Sequence, residues 1–260
     1  MSILDRHFLL WAQLLREKVP SFSEYPFSLP AVRNVDRITF HPNVTFVVGE
    51  NGSGKSTLLE AIAVAWGFNP EGGSKNFRFS TRASHSTLSD YIRLAKGVRR
   101  PKDGFFLRAE SFFNVATIIE QLDEGPGGPP IIDSYGGRSL HEQSHGESFL
   151  ALLNERFRTD SLYILDEPEA ALSPTRQMAT LCRIHDLVRG GSQFIIATHS
   201  PILMAYPDSK ILELRQDELR DVSYTETEHY AISRRFFMDH KATLRQLLDK
   251  TSQRKRSPAD

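Results

Sequence analysis

The chain has 260 residues, 40% of them hydrophobic and 25% charged, with 32 basic side chains balanced by 32 acidic ones. This is the composition of an ordinary globular protein, and a formal net charge of zero gives no global pull toward nucleic acid or an acidic surface. A single cysteine, Cys182, excludes an intrachain disulfide and a cysteine-built zinc cluster. No apolar run approaches the ~20 residues of a membrane-crossing helix, so direct membrane insertion is not expected; with no signal peptide in view, the cytoplasm is the expected compartment.

Residues 4–19 carry Leu4, Phe8, Trp11 and Leu15 at helical spacing, which predicts an amphipathic helix packed on its own domain. Pro20, Pro26 and Pro30 then mark an extended, turning segment. Strands are expected at 37–40 and 44–48 around the turn His41-Pro42-Asn43, and their proximity predicts a small antiparallel layer. The second strand runs into Gly49-Glu50-Asn51-Gly52-Ser53-Gly54-Lys55-Ser56, which satisfies G-x-x-x-x-G-K-[ST] at every fixed position. The spacing has a chemical reason. Glycines let successive N–H groups curl inward on a phosphate, and the following helix N-terminus adds partial positive charge. Lys55 supplies a mobile full charge for the outer phosphates, and the Ser56 hydroxyl is placed to ligate Mg²⁺. Glu50, Asn51, Gly52, Ser53, Gly54, Lys55, Ser56 and Thr57 are therefore the candidate contacts of a nucleoside triphosphate.

The helix from 56 to 66 should face Leu58, Leu59, Ile62 and Ala65 inward and stop at Gly67 and Pro70. Residues 71–103 read as polar and irregular. Within them Lys75, Arg78, Arg82, Arg93, Lys96, Arg99, Arg100 and Lys102 face one acid, Asp90, with Phe77, Phe79 and Tyr91 interleaved. Three readings stand: a nucleic-acid backbone surface, a source of charge for the triphosphate, or a solvated edge balanced by acids elsewhere. A strand at 105–109 should enter a helix around 112–121. The breaker cluster at 125–130 marks a loop, the expected mobile segment, extending to Arg138. Thereafter α/β order returns: helix 147–157, strand 162–165, helix 174–189 and strand 193–197. A hairpin from 211–214 and 222–224 follows, then helices 228–239 and 241–250. The basic tail 251–260 is expected to be disordered.

Two further constellations carry chemistry. Leu162-Tyr163-Ile164-Leu165-Asp166-Glu167 is an apolar strand ending in paired acids, the Walker B arrangement. Asp166 would hold Mg²⁺, directly or through water, and Glu167 would orient or deprotonate water. Ala197-Thr198-His199-Ser200-Pro201 ends another strand. A histidine there, downstream of the acids, would touch the γ-phosphate and the attacking water.

Asp166-Glu167-Pro168-Glu169-Ala170-Ala171-Leu172-Ser173-Pro174 followed by Ala197-Thr198-His199-Ser200-Pro201 resembles the ATP-binding-cassette (ABC) class of ATPases. Within it the chain is most similar to soluble, non-transporter members near the SMC and RecF heads, the stand-alone bacterial ATPases called AAA family in broad naming. The resemblance spans roughly 36–248. It implies an α/β P-loop NTPase with a mixed-sheet core, helices on both faces, a small antiparallel β layer and a helical signature subdomain at about 111–157. All of this lies in a single ATPase domain over 1–250. It implies ATP as the nucleotide, Mg²⁺ as the metal, Lys55, Glu167 and His199 as catalytic residues, and Ala170 to Ser173 as a D-loop at a dimer interface. The class also requires a signature motif. Ser144-His145-Gly146-Glu147, 22 positions before Asp166, is the candidate, with Ser144 capping a helix, Gly146 allowing close approach, and Ser144, Gly146 and Glu147 meeting the ATP of a second copy. His145 and Glu147 depart from the family pattern. So does Glu110, which stands where a Q-loop glutamine belongs and is kept as a candidate Mg²⁺ ligand; Phe40 is a weak candidate for stacking adenine.

The resemblance implies a homodimer that closes on ATP. Three uses for it remain open. The first is DNA maintenance, repair or defence, with DNA as a partner. The second is the nucleotide-binding subunit of a transporter, against which the departures at Glu110 and Ser144 to Glu147 count. The third is an ATP-gated module regulating a protein partner.

Overall fold

A computed structural model describes residues 7–74, 86–109, 137–215 and 218–254, with isolated positions between 117 and 133. The chain opens not in the expected helix but in a strand, β1 (Leu9–Leu14). It pairs antiparallel with β2 (Arg37–Thr39) on one side. Leu9, Ala12 and Leu14 gain their burial from that sheet, so long-range pairing overrides the local helical period. The next strand, β3 (Val44–Val48), is buried at all five positions and therefore needs cover on both faces. A place inside a parallel sheet provides this, so β2 and β3, expected as one small layer, lie in different sheets.

The P-loop leads into α2 (Lys55–Trp66), the second helix after the short α1 (Pro30–Arg33). Gly67 ends α2 in the left-handed conformation, its N–H reaching the carbonyls of Ala63 and Val64. Leu58, Leu59 and Ile62 are buried as expected; Ala65 is half-buried. Next, β4 (Ile92–Lys96) closes the small sheet in the order β2-β1-β4. Three of the eight basic residues of the stretch have partners here. Arg99 and Lys102 both pair with Asp160, the latter at 3.2 Å, and the Lys96 ammonium lies 4.6 Å from the centre of the Trp66 ring. Residues 75–85, with Lys75, Phe77, Arg78, Phe79 and Arg82, lie outside the described residues, as do Glu110, most of the expected helix 112–121 and the breaker cluster up to Pro129.

Beyond β5 (Asp103–Arg108), α3 (His145–Ala151) continues into a π-wound turn at Leu152–Arg156 where one helix was expected. Then come β6 (Ser161–Asp166), α4 (Pro174–Arg189), β7 (Gln193–Ala197) and the short α5 (Pro201–Met204). The hairpin consists of β8 (Ser209–Arg215) and β9 (Glu218–Val222), with Leu219 paired to Leu214 in the ladder rather than sitting in the turn. Two helices end the description, α6 (Glu228–Met238) and α7 (His240–Arg254); α7 runs past the expected boundary at Thr251, and residues 255–260 lie outside it. Among the described residues no helix is long and apolar enough to cross a membrane.

The central sheet has the order β5-β6-β7-β3-β8-β9, parallel from β5 to β8 with β9 antiparallel at the edge. Successive side chains point to opposite faces, so Phe46, Tyr163, Phe194 and Ile196 pack toward α3 and α4, whereas Val47, Ile164 and Ile195 pack toward α2 and the small sheet. Gln193 fastens the two sheets together. Its side-chain oxygen accepts from the N–H groups of Phe8 and Leu9 at 3.0 and 2.9 Å, and its amide donates to the carbonyls of Leu9 and His41 at 2.9 Å each.

Candidate nucleotide site

Because β6, β7 and β3 are parallel neighbours, their C-terminal ends gather on one edge of the sheet. That edge is where open α/β sheets bind ligands. It receives the P-loop from β3, Asp166 and Glu167 from β6, and His199 just after β7. A cleft of about 390 Å³ opens there, lined by Leu29, Asn51, Gly52, Gly54, Lys55, Ser56, Thr57 and Glu167. Glu50 and Ser53, with Asn51 and Gly52 again, line a second cavity of about 850 Å³ on the other flank of the loop, against Arg215 and Arg220. Gly54 is required at its position. Its φ is 93°, and a Cβ there would sit 2.9 Å from Cβ of Leu29.

Lys55 opens α2 and is only 4% exposed. Its Nζ donates to the carbonyls of Gly49 at 2.8 Å and Glu50 at 2.7 Å, which holds the loop closed on the ammonium. Burial pulls its pKa down, and the carboxylates of Glu167, Asp166, Glu169 and Glu50 pull it back up. The Ser56 hydroxyl donates to Asp166 Oδ1 at 3.0 Å. These residues fit a magnesium ion: a hydroxyl and a carboxylate oxygen meet beside the cleft, and Mg²⁺ takes few protein ligands, completing its shell with water and phosphate oxygens. Ser56 and Asp166 would hold it; Glu110, the third candidate, lies outside the described residues.

Glu167 is held in the left-handed region at φ 52° and ψ 51°, uncommon for a residue with a Cβ. Its N–H still donates to the Ala197 carbonyl at 2.9 Å, so the turn is tied to β7 while the carboxylate swings into the cleft. There its Oε1 lies 3.5 Å from Nε2 of His199. The His199 backbone N–H donates to Glu169 Oε1 at 2.5 Å. Glu169 was not singled out in the sequence, although its place two residues after Glu167 in the Asp-Glu-Pro-Glu run was the available signal. Burial raises the Glu169 carboxyl above the ordinary range.

Ser144 precedes α3 as its N-cap, as expected, but its partners are local. The Glu147 carboxylate accepts from the Ser144 N–H at 3.0 Å and from its hydroxyl at 2.6 Å, and Arg176 of α4 lies 3.4 Å from Glu147. The Ser144 hydrogen bonds hold the Glu147 carboxyl below its usual range. A Cβ on Gly146 would sit 2.8 Å from the carbonyl of Ala171, so glycine here serves close contact with the D-loop segment of the same chain. Phe40 is buried in the core on the small-sheet side and cannot stack on a base.

Burial is the leading cause of a lowered pKa at His41, His199 and His229. Between those lowered values and the ordinary imidazole range, the unfolded chain binds more protons than the folded one, so stability rises with pH through that window. The thermal unfolding midpoint should accordingly fall as pH drops below about 6.5. A midpoint that rises on acidification there would contradict the burial of these rings.

A family model described as an AAA domain matches residues 25–147. A second AAA-domain model, whose description names a candidate AbiEii toxin of a type IV TA system, matches 132–205. The chain is 27% identical over 176 residues to ABC transporter G family member 22 of Arabidopsis thaliana, which covers 61% of this chain and 23% of that protein. It is 27% identical over 194 residues to the energy-coupling factor transporter ATP-binding protein EcfA of Methanosarcina acetivorans, covering 68% of each. The chain thus spans 23% and 24% of the length of the plant transporters it matches. Among solved structures, a nucleotide-free ATP-binding cassette of an ABC transporter overlaps it at a TM-score of 0.49 with 18% identity, over 83% of this chain and 91% of that one. An Smc head bound to the C-winged helix domain of ScpA overlaps at 0.41 with 15% identity, over 72% and 93%. The two AAA-domain matches between them take in the P-loop, the acidic end of β6 and the histidine loop, and with the geometry of that edge they make the chain a P-loop NTPase.

Proposed function

We propose that the chain hydrolyses ATP with Mg²⁺ in a head-to-tail dimer, each nucleotide clamped between the P-loop of one copy and Ser144 to Glu147 of the other. The observation that carries this reading is the convergence on one cleft of Lys55, the Ser56–Asp166 pair and Glu167, with His199 Nε2 3.5 Å from the Glu167 carboxylate. Lys55 and the loop N–H groups bind the phosphates. Glu167 takes the proton of the attacking water, and His199 donates to the γ-phosphate. When bound, Mg²⁺ would neutralise charge on the phosphates. The dimer rests on the resemblance to the ABC class, in which the signature segment of a second copy meets the nucleotide; within one copy Ser144, Gly146 and Glu147 do not line the cleft.

For the work driven by this cycle, the first reading is DNA maintenance or defence, supported by the toxin–antitoxin description of the second family model. Its basic stretch is a weaker argument now that Arg99 and Lys102 are paired with Asp160. The second reading, a transporter's nucleotide-binding subunit, draws support from the names of the curated relatives. A binding assay separates them. The first expects DNA to raise ATP turnover, with an affinity that falls linearly in log–log form against salt. No DNA binding, together with co-purification of a membrane protein, would overturn it in favour of the second.

A further inference from the structure

We propose that His229 is a positioning residue for His199, fixing the ring nitrogen that carries the proton so that an N–H faces Glu167 and the γ-phosphate. This rests on the reading of His199 given above. His229 sits in the first turn of α6, 30 residues from His199, and its Nε2 lies 3.2 Å from His199 Nδ1, with the rings 5.4 Å apart at 51°. The start of α6 is firmly held. Thr227, fully buried, caps it by accepting from the Tyr230 N–H at 3.3 Å, and Glu213 of β8 accepts from the Glu228 N–H at 2.8 Å. The His229 ring is thus delivered from the strand next to β3 to the residue that follows β7.

Two neutral imidazoles at this distance need one donor and one acceptor, which allows two arrangements. If His199 Nδ1–H donated to His229, the bare lone pair of His199 Nε2 would face the Glu167 carboxylate at 3.5 Å, lone pair against negative charge. If His229 Nε2–H donates instead, His199 carries its proton on Nε2, the nitrogen 3.5 Å from the Glu167 carboxylate, where an attractive charge contact replaces the repulsion although no hydrogen bond forms. The second arrangement also leaves the lone pair of His229 on Nδ1, an atom with no hydrogen-bond partner among the described residues. A bare acceptor there is less costly than a stranded N–H. With its backbone N–H tied to Glu169, His199 is then fixed at two points, the main chain and Nδ1, and its Nε2 is left 3.5 Å from Glu167 without a hydrogen bond among the described residues.

The test combines turnover with the protonation pattern of His199, read by two-bond ¹H–¹⁵N correlation on the full chain labelled at its nine histidines. His199 is assigned by its loss in His199→Ala. The wild type should show His199 protonated on Nε2. His229→Leu removes the donor at similar size; it should turn His199 into a tautomer mixture and lower kcat about tenfold while KM for ATP stays within about twofold. His229→Gln, whose amide nitrogen can take the place of Nε2, should keep the tautomer and at least about half of kcat. His229→Leu with wild-type kcat and an unchanged His199 spectrum overturns the inference. Should that variant fail to fold, wild-type His199 found protonated on Nδ1, or His229→Gln as impaired as His199→Ala, overturns it instead. His199→Ala turning over like the wild type overturns the underlying reading of His199, and is distinguishable because it leaves the His229 variants out of account.

Discussion

Glu167→Gln lowers steady-state ATP turnover by about 100-fold or more and converts the chain, with saturating MgATP, into a dimer visible by size-exclusion chromatography. The substitution keeps volume and shape, so the left-handed turn at φ 52° and the backbone bond to Ala197 survive. The Ser56–Asp166 pair is one residue and one strand end away and keeps its 3.0 Å contact. Two things are lost. The amide cannot take the proton of water, and a negative charge no longer faces the triphosphate, which slows hydrolysis and tightens the clamp together. The two readouts separate two claims. A variant that stays monomeric under saturating MgATP sinks the sandwich, and one that keeps wild-type turnover sinks Glu167 as the base.

The parts of this site that were legible in the sequence are those whose environment is declared locally. β3, β6 and β7 are continuous apolar runs because both faces of a parallel strand are covered, and each is cut by glycine, acid or histidine where the chain leaves the sheet. The P-loop is legible for the same reason: its spacing is dictated by a phosphate, not by the rest of the fold. β1 was misread because its partners lie elsewhere in the sequence, Trp11 opposite Thr39 and Ala95, and nothing in Leu9 to Leu14 announces them. The β2–β3 pairing failed because adjacency in sequence says little about which sheet a strand joins. His229 left no local signal at all, since its value comes from a contact between α6 and the loop after β7 rather than from its neighbours. Glu147 shows a contact that the sequence reading did not include. A carboxylate three residues after a serine is the ideal partner for that serine's own N–H, and within one copy this is the bond it makes.

Lys55→Ala abolishes the stabilisation of the chain by ATP, cutting nucleotide affinity about 100-fold or more, and Lys55→Arg does not restore it. The ammonium is the only side-chain cation among the described residues lining the cleft, and it sits amid Glu167, Asp166, Glu169 and Glu50. Without it, a triphosphate approaching the loop meets those carboxylates with only backbone N–H groups and Mg²⁺ to offset them. Arginine supplies the charge but not the shape. Nζ reaches the carbonyls of Gly49 and Glu50 at 2.8 and 2.7 Å from a buried position, and a planar guanidinium is too broad to fold into that space. The measurement is a thermal shift against ATP concentration, where a ligand at 100 times its Kd adds about 2.7 kcal/mol to the wild type and should add almost nothing to either variant. A normal shift in Lys55→Ala removes Lys55 from phosphate binding. A normal shift in Lys55→Arg alone leaves charge sufficient and rules out the tight fit of Nζ between the two carbonyls as the requirement.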